Sequence, residues 1–363
     1  MRPMPSPSHL RGTTRLTLDA TTGLTRLVEA MHAEITRLPG AKPRPDTTGI
    51  TGLVYRSIRG VTRLVGSGVD TALAALAPLL ESTAPAQASG VIAALNGVLG
   101  DYLEDTHNPL AIPMSLHPLV PGAEGPPLVM LHGLCMNEAQ WQRDGADFPR
   151  ALAELGYQPL GLRYNTGRPI WRNGAELAAL LSRVPGPITL LGHSMGGLVA
   201  RSAIAQAGRR RWRRELRGLV TLGTPHQGAP LERGGQQVQR LLSVSAYSRP
   251  LALLAGRRSA GIRDLRHASL LEADVGRASV LPLPVNVACR AIAATMSRTA
   301  TGAPARWLGD GLVPVASALG QHRSPARRLA FTDTAVFAGL GHLALQTDPA
   351  VLAQLKAWLQ PPP

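Results

Sequence analysis

At 363 residues, with 44% hydrophobic and 17% charged side chains, the chain can bury a full core and has neither disordered nor fibrous composition. The formal net charge of +15 raises a nucleic-acid reading, since clustered cations release counterions from phosphate. Against it, all but Lys42 and Lys356 of the basic residues are arginines, and their sharpest cluster, Arg209 to Arg217, reads as a solvated helix end and loop. An anionic membrane surface is the intermediate reading.

In chain order, residues 1–120 form an N-terminal region with apolar residues three and four apart at 22–38, 51–80 and 88–105, the spacing of amphipathic helices. Pro-rich breaks at 39–45 and 109–121 separate them. The spacing predicts helices that pack on the domain behind them or on a partner. From about 121 to the end the pattern alternates between strand and helix. "PPLVMLHG" is a buried strand, "FPRALAELGY" a helix and "QPLGLRY" a strand. "NGAELAALLSRV" is a helix with Asn173 as its expected N-cap, and "GPITLLGHS" a strand. "MGGLVARSAIAQAG" follows as a helix and "LRGLVTLGTP" as a strand. A Gly- and Arg-rich, mostly helical insertion over 227–280 is a candidate lid. "PVNVACRAIAAT" and "LAFTDTAVFAG" resume as strands, and "DPAVLAQLKAWL" closes as a helix. This is an α/β pattern: a mostly parallel sheet with helices on both faces.

Cys135 and Cys289 give no disulfide framework and no metal pattern, and read as reduced core residues. The N-terminus has no apolar run long enough for a signal peptide, and no later stretch is long enough to cross a bilayer. The expectation is a cytoplasmic protein, with a peripheral membrane role left open.

The chemistry centres on Gly192-His193-Ser194-Met195-Gly196. An apolar strand runs into Ser194 and a helix leaves it, the context in which G-x-S-x-G marks a nucleophile. The glycines remove side chains that would collide in so sharp a turn. Serine needs a base, and the base needs an orienting group. His342 follows the last strand and precedes the last helix, while His322 lies in a polar connection. Asp310, in a Gly-Asp-Gly turn between serine and histidine, is the expected acid; Asp333 reads as part of the last strand. The oxyanion donors are expected to be the amides of Met195 and of Leu134, after the Gly133 turn, with His132 bracing that loop.

"LHGL", "GHSMGG", "LGTPHQG", "GDGLVP" and "GLGH" together resemble the α/β-hydrolase superfamily, in particular bacterial lipases and the lipase-like group related to inositol deacylases. The resemblance covers residues 126–360. It implies an α/β-hydrolase fold, no metal and no organic cofactor for catalysis, and a role for Thr224, Pro225 and His226 in the active-site wall. The serine nucleophile excludes the aspartate-using branch of the superfamily.

These features predict a serine carboxylic-ester hydrolase, a lipase or esterase acting on lipid-like or medium-chain acyl esters through an acyl-enzyme. The same triad serves thioesterases and acyltransferases, and a hydrolase scaffold can also be a non-catalytic binding protein. The expected partners are a small-molecule acyl ester or lipid and an anionic membrane surface rather than nucleic acid. The oligomeric state is left open.

Overall fold

The computed structural model describes residues 85–105, 107–108, 110–228, 259–300, 302 and 309–360. The helical readings at 22–38 and 51–80, and the apolar stretch 238–256 of the insertion, lie outside the described residues.

Seven strands form one sheet: β1 (Ser115–Pro118), β2 (Pro127–Leu131), β3 (Gln158–Arg163), β4 (Ile188–His193), β5 (Leu216–Leu222), β6 (Ala288–Thr295) and β7 (Asp333–Ala338). Their spatial order is β1-β3-β2-β4-β5-β6-β7, with β1 antiparallel to β3 and every other pair parallel. β2 is therefore flanked by β3 on one side and β4 on the other. Chain direction across the sheet reverses there, and in open α/β sheets ligands bind in the crevice at the carboxyl ends of strands at such a switch point.

Burial on both faces explains the strand sequences. Val129 and Leu131 of β2 face one apolar cluster, Leu128 and Met130 the other; Leu190 and Leu191 of β4 divide in the same way. The first face carries α1 (Pro85–Asp105), α3 (Ile170–Leu180), α4 (Met195–Gln206) and α6 (Ala260–His267). The second carries α2 (Phe148–Ala153) and the closing helix α8 (Pro349–Leu359). A short helix α5 (Arg211–Arg214) and one-turn α7 (Val315–Ala318) complete the set. α3 and α4 approach closely because Gly174 has no side chain: a Cβ there would lie 2.5 Å from Ser202 Cβ.

α1 shares the core of the sheet domain. Leu95, Leu99 and Leu103 are buried in the same cluster as Leu131, Tyr164 and Leu198. Its polar contacts run to the same neighbours: Asn165 Nδ2 donates to Gly100 O at 2.9 Å and Ser259 Oγ to Gly97 O at 2.7 Å.

Three local readings differ from the sequence. Asn173 is not the cap of α3. The helix begins at Ile170 after Pro169, where the fixed proline φ starts the turn without a side-chain cap, and Asn173 lies buried within it, donating from Nδ2 to Asn165 O at 2.9 Å. Residues 115–118, read as part of a proline-rich break, form edge strand β1, where a terminal proline costs no ladder bond. In the described part of the 227–280 insertion, only Ala260–His267 is α-helical and Glu272–Asp274 is a single 3-10 turn.

Candidate active site

Ser194 sits between β4 and α4 with φ 54° and ψ −123°, a strained backbone for a residue with a Cβ. The strain is held by close packing. A Cβ on Gly192 would lie 2.5 Å from Gly197 N, one on Gly196 would lie 2.7 Å from His132 O, and one on Gly197 would meet Thr224. Ser194 N donates to Leu222 O at 2.8 Å, tying the turn to the end of β5. Among the described residues the Ser194 hydroxyl has no hydrogen bond, and Ser194 itself is 3% exposed.

Asp310 and His342 meet at the end of the sheet. His342 Nδ1 lies 2.7 Å from Asp310 Oδ2, with both side chains buried. A carboxylate oxygen can only accept, so Nδ1 carries a proton, and in the neutral ring the lone pair is then on Nε2. That Nε2 is buried without a hydrogen-bond partner. The other carboxylate oxygen, Oδ1, accepts from Leu312 N at 3.0 Å and Val313 N at 2.7 Å, while Asp310 O accepts from His342 N at 3.0 Å. The acid is thus fixed on its own turn and bound to the histidine through side chain and main chain. Gly223, at φ +55°, leaves room for the pair: a Cβ there would lie 3.0 Å from Asp310 Oδ2 and 3.2 Å from His342 Cε1.

The loop after β2 comes up beside the serine, and a Cβ on Gly133 would lie 3.1 Å from Ser194 Cβ. Neither Leu134 N nor Met195 N enters a hydrogen bond among the described residues. The loop is braced from several sides. Cys135, at φ 59°, donates its N–H to Thr166 Oγ1 at 3.1 Å and packs on Gly97 of α1. Tyr164 Oη donates to His132 O at 2.7 Å, and its ring stacks on His132 with centroids 4.5 Å apart. His132 donates from Nδ1 to Gly133 O at 3.0 Å, and burial lowers its pKa to about 4, so it stays neutral and braces the loop.

His193, the variable position of the serine motif, also takes part. Its Nε2 is 3.0 Å from His342 O, an acceptor, so Nε2 carries the proton. Burial, and then the neighbouring His342, hold its pKa well below the ordinary histidine value.

The family model for the PGAP1-like alpha/beta domain matches residues 176–277. No curated relative matches the sequence. Similar solved structures include a mature-form lipase of Bacillus licheniformis, 18% identical, covering 68% of this chain and 98% of that one at TM-score 0.43. An esterase of Exiguobacterium antarcticum is also 18% identical, with 69% and 96% covered at TM-score 0.45. Mouse alpha/beta hydrolase domain-containing protein 10 is 13% identical, with 68% and 92% covered at TM-score 0.38. The seven-stranded, mostly parallel sheet with helices on both faces, and the strand–Ser194–helix turn at the end of β4, are by themselves those of an α/β-hydrolase fold.

On this α/β-hydrolase scaffold the remaining sequence candidates take other places. His226 is buried behind the site, 3.3 Å from Arg201 Nη1 through Nδ1 and 3.2 Å from Thr221 Oγ1 through Nε2. Burial and Arg201 hold its pKa well below the usual value, so it is a neutral wall residue. His322 is half-exposed, accepting from Ser324 N at 3.0 Å. Asp333 opens β7 and faces Arg290 Nε at 3.1 Å. Cys135 and Cys289 are buried free thiols. Among the described residues no helix is long and apolar enough to cross a membrane, and no group of three or more His, Cys, Asp or Glu could hold a metal ion. Sequence reasoning missed the His193 contact and the Tyr164 and Thr166 braces; only the histidine inside the motif offered a signal.

Proposed function

We propose that the protein is a serine carboxylic-ester hydrolase using Ser194, His342 and Asp310. One observation carries this reading: the buried 2.7 Å contact of His342 with Asp310 leaves Nε2 as an unpartnered base at the carboxyl end of the sheet, where Ser194 is held on a positive-φ turn. Nε2 takes the hydroxyl proton as Ser194 Oγ attacks the ester carbonyl. The amides of Leu134 and Met195 receive the tetrahedral oxyanion. Collapse breaks the bond to the alcohol, which leaves with the proton from His342. Water, deprotonated by the same nitrogen, then releases the acid and restores Ser194. Apolar Leu134 and Met136 on the loop beside Ser194 favour an acyl chain over a polar one.

A p-nitrophenyl ester series from acetate to palmitate, run on the wild type and Ser194→Ala, tests this. Hydrolysis that vanishes in the variant supports it, and the chain-length optimum sizes the acyl site. A folded wild type inert to all the esters overturns ester hydrolysis. Turnover of acyl thioesters, or transfer to an added alcohol, would then assign a thioesterase or acyltransferase. Inertness to these as well would leave a binding protein.

A further inference from the structure

α4 begins next to Ser194 and carries Arg201 seven residues further on, about 10 Å along the helix axis at ~1.5 Å per residue. Arg201 is 5% exposed, and no carboxylate pairs with it among the described residues. Its Nη2 donates to Leu281 O at 2.6 Å and its Nη1 to His226 Nδ1 at 3.3 Å. These contacts spend two of the five guanidinium N–H donors. His226 passes the chain on, donating from Nε2 to Thr221 Oγ1, which donates to Arg290 O. This network places the guanidinium but does nothing to neutralise it. Taking a cation out of water without a counter-charge is costly, and burial draws the Arg201 pKa down to about 10.

Beside Arg201 lies a cavity of about 400 Å³. Its second cation is Arg213 of α5, half-buried and without a hydrogen bond or ion pair from its side chain among the described residues. Arg201 and Arg213 thus line one and the same cavity. Among the described residues no acidic side chain lines the cavity, and its wall is apolar, with Ile204, Leu281, Leu283 and Val285. Val285 is 80% exposed at the rim. Two uncompensated cations over an apolar wall fit one chemical class.

We propose that this cavity binds a single-chain amphiphilic carboxylate, its head on Arg201 and Arg213 and its hydrocarbon tail along Leu281–Val285. At about 30 Å³ per heavy atom, roughly that of a liquid water, the space holds about a dozen atoms, the size of a medium-chain acid. The inference does not depend on the ester-hydrolase reading, because its ligand is bound and not turned over.

Calorimetric titration of the full chain with decanoate below its micellar concentration tests the site, with decanol and acetate as controls for tail and head alone. Decanoate is expected to bind and to raise the melting temperature, with neither control reproducing it. Arg213→Glu and Val285→Glu are each expected to weaken decanoate binding at least tenfold, while hydrolysis of p-nitrophenyl esters, if present, stays unchanged. Equal binding of decanol, or unchanged decanoate affinity in both variants, overturns the proposal. So does sedimentation with phosphatidylglycerol vesicles that is lost in Arg213→Glu, when no monomeric decanoate binds. That result would mark a lipid headgroup surface in place of a cavity for a free acid.

Discussion

His193 Nε2 donates to the main-chain oxygen of His342 at 3.0 Å, and the two imidazole rings stand 4.7 Å apart. The residue just before the serine thus holds the backbone of the residue proposed as the base. His193 is a positioning residue in this arrangement, since its bond goes to main chain and not to reacting atoms. Replacing it with leucine should lower kcat about tenfold, roughly 1.4 kcal/mol, with little change in KM. His193→Gln, which keeps an N–H donor at similar reach, should recover much of the loss. Steady-state kinetics on the three proteins checks this, and equal losses in both variants would reduce His193 to a packing residue.

Asp310→Asn separates orientation from folding. The side-chain oxygen that remains in this variant can still accept from Leu312 and Val313, so the turn should survive. The new amide nitrogen would then face His342 Nδ1, and two donors cannot share that contact. The imidazole would take the other tautomer and lose the lone pair at Nε2. A fall in kcat on the order of 10⁴ is expected, with near-unchanged thermal stability. Circular dichroism melts alongside the ester assay would show whether the loss is catalytic or structural.

The serine turn was legible because its signal is local: strand, glycines, serine and helix are contiguous in the chain. The meeting of Asp310 with His342 was legible because they lie in the connections that follow β6 and β7, and parallel strands bring those connections to one edge. The contacts that complete the site run between distant segments and leave no local pattern. His193 reads as a spacer in its motif, and nothing in the chain around Thr166 or Tyr164 foretells the loop they brace. Asn173 misled for a related reason: a helix start needs only a favourable φ, which Pro169 supplies, and the asparagine was free for a tertiary bond.

α1 braces the loop after β2 through Gly97 against Cys135 and through Asn137 Nδ2, which donates to Ser89 Oγ at 3.0 Å. Removing residues 1–110 would uncover Leu95, Leu99 and Leu103 contacts worth about 2 kcal/mol each. That sum of ~6 kcal/mol is comparable to the whole stability of an ordinary domain. The truncated chain should therefore melt far lower or aggregate, whereas a chain beginning at residue 85 should keep its fold. Melting curves of the two truncations decide whether α1 belongs to the domain.

Asp264 carries a pH dependence. Burial raises its carboxyl pKa to about 6, against the donation from Ile170 N and the charge of Arg263. Its Oδ2 accepts that Ile170 N–H at 3.0 Å, at the start of α3. A folded pKa above the unfolded value of 3.8 means the folded state favours the protonated acid. The stabilisation is then full below about pH 4 and lost as pH rises to about 6. Asp264→Asn keeps an acceptor for Ile170 without the charge, so it should flatten the stability curve between those values. Denaturant midpoints from pH 4 to pH 7 measure it, and an unchanged slope in the variant would remove Asp264 as the titrating group.

Gly223 tests how tightly the acid and base are seated. Its φ of +55° costs a residue with a Cβ about 1–2 kcal/mol. The added carbon of Gly223→Ala would also stand 2.8 Å from Leu345 Cδ1 and 3.0 Å from Asp310 Oδ2. Leu345 can yield only into a packed core, and Asp310 is pinned by two backbone amides, so the strain must displace the His342 loop or the Gly223 backbone. Gly223→Ala should therefore lose at least tenfold in kcat, with a melting temperature lower by several degrees. Gly208→Ala, also at positive φ but with nothing within 4 Å of its added carbon, is the matched control. It should share the backbone cost and keep its turnover. Equal activity in the two variants would mean that the space beside Asp310 and His342 is not needed.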